Sequence, residues 1–156
     1  MKLKTIALVA HDSRKKELLE WAEFNKNTLA KYKLYATGTT GKMLGNINLT
    51  TPTSEQEDPI VLNVTPLLSG PLGGDQQIGT MIANGNVDML VFFCDNLIMQ
   101  GHQNDVSALT RLASLYNIPF ATNRTTADML LTSKLIDDEE YEPKRPNFET
   151  YINRKL

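Results

Sequence analysis

One stretch of the chain reads Ser69-Gly70-Pro71-Leu72-Gly73-Gly74-Asp75-Gln76-Gln77 and contains three glycines within five residues. It follows a largely apolar run, Ile60 to Leu68, and precedes a helical pattern with Ile78, Met81 and Ile82 on one face. Glycines let a backbone turn tightly and bring its N–H groups close to a ligand, and a helix N-terminus favours an anion. The stretch therefore predicts a strand, a turn suited to an anion and a helix, in that order.

Asp75 ends this glycine-rich turn, and two interpretations of it are open. A carboxylate would repel a bound phosphate, so Asp75 is expected to act beside an anion rather than to hold it. Alternatively, it caps the helix, as aspartate commonly does. From this one residue the helix cap is the stronger interpretation.

Apolar runs alternate with helical patterns along the whole chain. The runs that predict strands are Thr5–Ala10, Lys33–Thr37, Ile60–Leu67, Asp88–Asp95 and Ile118–Thr122. Helices are predicted over about residues 13–31, over residues 106–116 behind the candidate caps Asn104 and Asp105, and from near Thr125. This alternation predicts an α/β fold over residues 1–156: a single domain with a mostly parallel five-stranded sheet and helices on both faces.

The composition is that of an ordinary globular domain. The chain has 156 residues, of which 41% are hydrophobic and 22% charged, and its formal net charge is -2. A nucleic-acid-binding protein usually presents a basic face, so no nucleic-acid partner is expected. No segment approaches the ~18 apolar residues of a membrane span, and residues 1–4 leave no room for a signal peptide. The single cysteine, Cys94, lies in an apolar run and is expected to be a buried thiol, which together with these features predicts a cytoplasmic protein that binds no membrane.

Two regions interrupt the alternation. Residues Asn46 to Pro59 contain several threonines, two prolines and an acidic cluster but no aromatic residue, which predicts an exposed loop. This loop is expected to be a surface excursion that the fold does not need. The run Asp137-Asp138-Glu139-Glu140, followed by Pro143 and Pro146, predicts a solvated surface turn.

Polar residues follow each of the five predicted strands. In an open parallel sheet, ligands bind outside the carboxyl ends of the strands, so these residues are expected to share one edge. Any single polar residue at such a position is usually a cap or a turn residue, but five clusters on one edge predict a binding site. The clusters, in strand order, are His11 and Asp12; Thr37-Gly38-Thr39-Thr40-Gly41; Ser69 to Asp75; Asp95 with His102 and Asp105 beyond it; and Asn123.

The threonine-rich cluster, Thr37 to Gly41, combines hydroxyl groups with a flexible backbone, and both suit the oxygens of a phosphate. It lacks the lysine and the spacing of a P-loop, and a strand-to-helix turn capped by threonine is an equally good interpretation. Lys15 could supply the positive charge that a phosphate site needs, although it lies in a basic run that water can equally solvate.

His11 and His102 are the only histidines of the chain, and both follow strands at the predicted edge. Histidine and aspartate can bind a metal, but no pair of histidines or cysteines has the spacing of a metal site. We therefore predict no metal ion.

Five segments resemble the signature segments of the methylglyoxal synthase family, in the family's order and over nearly the whole chain. They are IALVAHD (Ile6 to Asp12), YATGTTG (Tyr35 to Gly41), LLSGPLGGDQQIG (Leu67 to Gly79), NIPFATN (Asn117 to Asn123) and TTAD (Thr125 to Asp128). The resemblance implies a Rossmann-like α/β domain, typically in a homohexamer. It also implies the conversion of dihydroxyacetone phosphate to methylglyoxal and inorganic phosphate without a cofactor, and inhibition by inorganic phosphate.

Carried over residue by residue, the resemblance implies the roles of the site. Asp75 is the general base that removes a proton from the hydroxymethyl carbon of the substrate, and His102 polarises the substrate carbonyl. His11 contacts the substrate, Asp105 is a further catalytic acidic residue, and Asp12 and Asp95 line the substrate site. The residues expected to bind the phosphate are Lys15, Thr37, Gly38, Thr39, Thr40, Ser69 and Gly70.

Three features depart from the family pattern. Cys94-Asp95-Asn96 stands where the family often has Trp-Asp-Pro, and the stretch from Gly41 to Ser69 is longer than usual. Arg154 is the nearest match to an arginine that, in the family, reaches the phosphate of a neighbouring subunit.

A regulatory domain that binds a phosphorylated effector is the alternative function, because the same fold serves in that role. Such a domain would keep the phosphate-binding loops but would not need Asp75, His11 and His102 together. The enzyme is therefore the favoured interpretation.

Overall fold

The computed structural model describes residues 3–50, 60–97 and 103–155. Its strands are β1 Thr5–Ala10, β2 Lys33–Thr37, β3 Val64–Leu67, β4 Met89–Phe93 and β5 Phe120–Ala121. They form one sheet in the order β3-β2-β1-β4-β5, and every pairing is parallel. The predicted five-stranded parallel sheet is confirmed.

Helices connect successive strands, as the alternation of the sequence predicts. They are α1 Lys15–Phe24, α2 Lys26–Leu29, α3 Gly38–Thr50, α4 Gly74–Ala83, α5 Gln103–Leu115, α6 Arg124–Leu131 and α7 Glu149–Ile152. Short 3-10 turns over Asp12–Arg14 and Gly70–Leu72 precede α1 and α4. Among the described helices, none has the length and apolar character needed to cross a membrane.

The central strand β1 is buried along its whole length and supplies apolar side chains to both faces of the sheet. Ile6 and Leu8 pack in one core cluster with side chains of α1, α3 and α6. Ala7 and Val9 belong to a second cluster with side chains of α4 and α5. Because successive strand residues point to opposite faces, the apolar run over residues 6–10 requires helices on both sides of the sheet, and the structure confirms them.

The strands on the flanks of the sheet are shorter than predicted. β3 lies at one edge and pairs only with β2, from Val64 onward. β5 lies at the other edge and pairs with β4 through Phe120 and Ala121 alone. Each of these two strands has a neighbouring strand on one side only, and its apolar run in the sequence is longer than the part that pairs.

The predicted helix over residues 13–31 is divided in two. α1 ends at Phe24 and α2 begins at Lys26, and Asn25 between them has φ -99° and ψ 14°. The Asn25 side chain donates to the carbonyl oxygen of Trp21 at 2.9 Å. Side chains of this type compete with the helical hydrogen bonds of the backbone, and the helix breaks at that residue.

The prediction of an exposed loop from Asn46 is wrong for its first residues, since α3 continues to Thr50. Leu44 holds this helix against the core and is fully buried. The first helix-breaking residue in the region is Pro52, which explains why the helix outlasts the predicted start of the loop. Residues 51–59 lie outside the described part of the chain.

The starts of α5 and α6 differ in how well the sequence indicates them. The candidate caps Asn104 and Asp105 are wrong, because α5 begins at Gln103 and both residues lie in its first turn. Acidic residues in a first turn also suit the helix dipole, so residue type alone does not separate the two positions. α6 is capped by Asn123, whose side-chain oxygen accepts a hydrogen bond from the Thr126 N–H at 2.9 Å.

The segment after α6 lies on the surface. Residues 137–142 are all exposed, which confirms the predicted surface turn. The Tyr32 hydroxyl donates to the carboxylate of Asp137 at 2.5 Å, and burial together with this bond raises the pKa of Tyr32. Near the C-terminus, the Arg154 guanidinium stacks 3.7 Å from the centre of the Tyr151 ring of its own chain.

Candidate active site

A cavity of about 260 Å³ opens at the carboxyl ends of the central strands. It lies between the residues that follow β1 and β2 and the glycine-rich turn that follows β3. The polar residues predicted from three separate parts of the sequence therefore meet in one place. Its lining residues are His11, Asp12, Lys15, Thr37, Gly38, Ser69, Gly70 and Asp75, with Val9, Ala10, Pro71 and Phe92.

Asp75 is the buried carboxylate of this cavity, with 4% of its surface exposed. It is the second residue of α4, and the position before the helix is taken by Gly73, whose φ is 108°. No side chain caps α4. The interpretation of Asp75 as the cap is therefore wrong: its side chain is turned into the cavity, where the first turn of the helix favours a negative charge.

Gly70 lies directly against the Asp75 carboxylate. A Cβ atom on Gly70 would lie 3.4 Å from both carboxylate oxygens of Asp75. The missing side chain therefore leaves the face of the carboxylate open toward the cavity.

The turn after β3 and the start of α3 are packed backbone against backbone. Gly38 has φ +53°, and its N–H donates to the carbonyl oxygen of Leu68 at 3.1 Å. A Cβ atom on Gly74 would lie only 2.0 Å from that same oxygen. The close approach of these backbones requires glycine at both positions, and it brings the N-termini of α3 and α4 to one cavity.

Lys15 provides the positive charge at the mouth of the cavity. Its ammonium nitrogen donates to the Thr39 hydroxyl at 2.8 Å and lies 2.6 Å from a carboxylate oxygen of Asp12. The Asp12 side chain is 90% exposed, whereas that of Lys15 is 27% exposed. A cation beside hydroxyl groups and a helix N-terminus is a combination that favours an anion, and the Asp12 carboxylate is the more exposed member of the ion pair.

His11 is held in one orientation by the backbone after β4. The N–H of Asp95 donates to Nδ1 of His11 at 2.9 Å, and the ring packs edge-on against Phe92 with 5.3 Å between the ring centres. Since Nδ1 is an acceptor, the neutral ring carries its proton on Nε2. Neutral His11 is therefore a hydrogen-bond donor through Nε2.

Asp95 contributes to the site through its neighbours and does not line the cavity. Its carboxylate accepts hydrogen bonds from the Ser13 hydroxyl at 2.5 Å and from the Leu97 N–H at 3.0 Å. These bonds tie the loop after β4 to the turn after β1, and they fix the peptide that holds His11. The direct contact with substrate predicted for Asp95 stays a prediction.

Thr40 lies deeper than the rest of the threonine cluster and is fully buried. Within the described residues, its hydroxyl oxygen has no hydrogen-bond partner. Thr37 is also buried and lines the cavity. The cluster thus places hydroxyl groups at several depths, and the phosphate contacts predicted for them stay predictions.

Asp105 lies outside the cavity, at the start of α5. It accepts a hydrogen bond from the side-chain nitrogen of Gln76 at 3.0 Å, and it lines a shallow groove between α4 and α5 that Asp75 also reaches. His102, predicted to polarise the substrate carbonyl, lies outside the described residues. Asn123, one of the five predicted clusters, caps α6 and does not line the cavity.

Cys94 is buried, as predicted. Burial and then the negative charge of Asp75 raise the pKa of the Cys94 thiol to about 11. The thiol donates to the carbonyl oxygen of Phe92 at 3.3 Å. At neutral pH the thiol is therefore protonated.

Among the described residues, no group of three or more histidine, cysteine, aspartate or glutamate side chains is arranged to hold a metal ion. The predicted independence from metal remains a prediction.

Comparison with known proteins decides the family. A family profile described as "MGS-like domain" matches residues 17–122. A methylglyoxal synthase of Coxiella burnetii is 47% identical over 154 residues, which cover 99% of this chain and 99% of that protein. The chain belongs to the methylglyoxal synthase family. A methylglyoxal synthase of Proteus mirabilis is 48% identical over 98% of this chain and 92% of its own length.

A solved structure supports the same assignment. The crystal structure of methylglyoxal synthase from Elizabethkingia anophelis NUHP1 superposes with a TM-score of 0.84 at 39% identity, covering 99% of this chain and 93% of that one. The family resemblance of the sequence and the Rossmann-like α/β fold are thus confirmed together.

Three residues support the methylglyoxal synthase-like site although the sequence analysis gives none of them a role. Ser13 binds Asp95, Phe92 packs on His11, and Gln77 accepts a hydrogen bond from the Leu68 N–H at 2.9 Å. Two hints were available: Ser13 follows His11 by two residues, and Gln77 lies in the glycine-rich signature segment. The contact of Phe92 joins residues that only the tertiary structure brings together.

Proposed function

We propose that this chain converts dihydroxyacetone phosphate to methylglyoxal and inorganic phosphate through an enediolate, with Asp75 as the general base. One observation carries the proposal: a buried carboxylate opens onto the same cavity as Lys15 and the hydroxyl groups of an anion site. A cavity of about 260 Å³ is small, as a three-carbon substrate with one phosphate requires.

The phosphate group is proposed to bind between Lys15, the start of α3 and the Ser69–Gly70 turn. These three elements are called the phosphate cradle below. Lys15 supplies the positive charge, and the hydroxyl and backbone N–H groups donate hydrogen bonds to the phosphate oxygens. Asp12 presently accepts from Lys15 at 2.6 Å. Since the Asp12 side chain is exposed, it can turn into water when the phosphate arrives.

Asp75 is proposed to remove a proton from the hydroxymethyl carbon. The electron pair of that C–H bond moves toward the carbonyl oxygen, so an enediolate forms. A positioned base contributes about 10²–10⁴-fold to such a step. Donors aimed at the developing oxyanion stabilise it, and His11 is proposed to act there through its Nε2 proton, together with His102.

Expulsion of phosphate completes the reaction. The hydroxyl group on the deprotonated carbon becomes the aldehyde oxygen and passes its proton to the leaving phosphate. The electron pair of the C=C bond moves toward the carbon that bears phosphate, the bond between that carbon and the bridging oxygen breaks, and phosphate leaves with the electron pair of the broken bond. This step needs the breaking bond to stand perpendicular to the enediolate plane. The enol that remains takes a proton at the carbon that lost phosphate and becomes methylglyoxal. A phosphate cradle rigidly placed relative to Asp75 supports that geometry.

We further propose that inorganic phosphate, as product, inhibits the enzyme by occupying the cradle. The protein is proposed to be a cytoplasmic homohexamer, in keeping with its family. Light scattering would give the mass of the assembly directly, and a mass other than that of six chains would contradict this part of the proposal.

The reaction is tested by incubating the purified protein with dihydroxyacetone phosphate in the presence of a chelator. Methylglyoxal and inorganic phosphate are measured in the same sample. We expect both products in equal amounts, with the rate unchanged by the chelator. Release of phosphate without methylglyoxal, or activity that requires an added divalent ion, would contradict the proposed function.

A further inference from the structure

Gln77 lies two residues after Asp75, on the same helix, and its side chain returns to the turn that precedes the helix. Its side-chain oxygen accepts a hydrogen bond from the N–H of Leu68 at 2.9 Å. Its own backbone N–H donates to the carbonyl oxygen of Gly73 at 3.0 Å. One residue thus binds the backbone at both ends of the glycine-rich turn.

The backbone of Leu68 connects the phosphate-binding side of the proposed site with the helix that carries Asp75. Its N–H is held by Gln77, and its carbonyl oxygen accepts from the Gly38 N–H at 3.1 Å. The same oxygen touches Gly74, where a Cβ atom would lie 2.0 Å away. The backbone of this one residue therefore contacts the start of α3 and the first turn of α4, and it begins the turn after β3.

We propose that Gln77 is a positioning residue that sets the placement of the Asp75 carboxylate relative to the phosphate cradle. This inference rests on the proposed function. Without the bond from Gln77, the turn from Ser69 to Gly74 has lost its side-chain tie to α4. The cradle and the base then shift relative to each other, although every group that touches the substrate is retained.

The consequence concerns the fate of the enediolate. With the phosphate held out of the enediolate plane, elimination is faster than return of a proton. When the placement relaxes, the enediolate is more often reprotonated, and in heavy water the recovered substrate carries deuterium at its hydroxymethyl carbon. The ratio of deuterium exchange to methylglyoxal formation therefore reports the placement, and a residue that only stabilises the fold does not change it.

The test compares Gln77→Met, Gln77→Glu and Gln77→Asn with the unmodified protein in heavy water. Methionine keeps the length of the side chain but has no oxygen acceptor, asparagine is one methylene too short, and glutamate retains an acceptor oxygen. Thr132→Val is the matched control, because it removes an exposed side-chain hydrogen bond, to the Asp128 carbonyl at 2.7 Å, at the end of α6 and away from the cavity.

We expect Gln77→Met and Gln77→Asn to lower kcat by about 10- to 100-fold, since small misplacements of catalytic groups have effects of this size. Their ratio of exchange to methylglyoxal should rise, while the inhibition constant of inorganic phosphate changes by less than about threefold. Gln77→Glu should recover kcat to within about fivefold of the unmodified protein, and Thr132→Val should leave kcat and the ratio unchanged.

A kcat within about twofold for Gln77→Met, or a lowered kcat with an unchanged ratio, would overturn the inference. Gln77 is exposed, so the shorter asparagine variant keeps the test available should the methionine variant fold poorly. If the unmodified protein makes no methylglyoxal, the proposed function fails. If it makes methylglyoxal and the Gln77 variants behave in the same way, only the role of Gln77 fails.

Discussion

Replacement of Lys15 by methionine isolates the charge of the phosphate cradle. The ammonium group lies 2.8 Å from the Thr39 hydroxyl and 2.6 Å from the Asp12 carboxylate, and its side chain is 27% exposed. A hydrogen bond to a charged group contributes about 1.5–3 kcal/mol. At about 1.4 kcal/mol for each factor of ten, Lys15→Met should raise the inhibition constant of inorganic phosphate by about 10- to 100-fold.

Two neighbouring substitutions set the scale for that result. Thr39→Val removes a neutral hydroxyl, and such bonds contribute about 0.5–1.5 kcal/mol, so a change of about two- to tenfold is expected. Asp12→Asn should act in the opposite direction, because it removes the carboxylate that competes with phosphate for Lys15. The Asp12 side chain is 90% exposed, and exposed ion pairs are weak, so affinity for phosphate should increase by no more than about fivefold.

The assay is inhibition of methylglyoxal formation by inorganic phosphate, at constant ionic strength, for the three variants and the unmodified protein. Unfolding midpoints confirm that each variant is folded. The predicted order of inhibition constants is Lys15→Met, then Thr39→Val, then unmodified protein, then Asp12→Asn. A Lys15→Met protein whose inhibition constant is within about twofold of normal would refute the placement of the cradle.

Three further predictions concern packing, titration and the predicted insertion. Gly74→Ala should lower the free energy of unfolding by about 1–3 kcal/mol or more, because the new Cβ would lie 2.0 Å from the Leu68 carbonyl oxygen. Gly45→Ala is the matched control, since its new Cβ meets nothing within 4 Å, and equal unfolding midpoints for the two variants would contradict the close packing at Gly74. The pKa of the Cys94 thiol is raised to about 11, so the thiol contributes fully to stability below the pKa of an unfolded thiol, and this contribution is lost as the pH rises toward 11. Alkylation of the native protein should therefore show a midpoint near that pH. If the midpoint of alkylation is no lower in Asp75→Asn, the charge of Asp75 does not act on the thiol. Shortening residues 51–59 should leave the unfolding midpoint and turnover close to normal, and loss of the native assembly in light scattering would show that the segment serves an interface instead.

The fold could be predicted wherever burial dictates residue type. β1 and β2 have the predicted bounds, and β1 is buried on both faces and apolar at every position after Thr5. The edge strands and the break at Asn25 could not be predicted, because they depend on which neighbour a backbone group meets. An asparagine occurs both within helices and at helix breaks, so residue type alone does not predict the break. The hydrogen bond from the Asn25 side chain to the Trp21 carbonyl oxygen, which accompanies the break, is seen only in the structure.

In the site, too, some features could be predicted from the sequence and others depend on tertiary contacts. Its lining residues could be predicted because parallel strands all end at one edge, so any polar residue directly after a strand is brought there. The hydrogen bonds that orient them could not: the Asp95 N–H that holds His11 lies 84 residues away in sequence. The bond from Leu68 to Gln77 spans nine residues, but it joins a backbone group to a side chain, which no hydrophobic period encodes.

Turnover of Asp75→Asn tests whether Asp75 is the general base. Asparagine keeps the size of the side chain but cannot accept the proton, and no cap of α4 is lost, since Gly73 occupies that position. If Asp75 is the base, kcat should fall by about 10²–10⁴-fold, with the unfolding midpoint close to normal and phosphate bound as tightly as before or more tightly. A stable Asp75→Asn protein that forms methylglyoxal within about tenfold of the normal rate would contradict the assignment of Asp75 as the base.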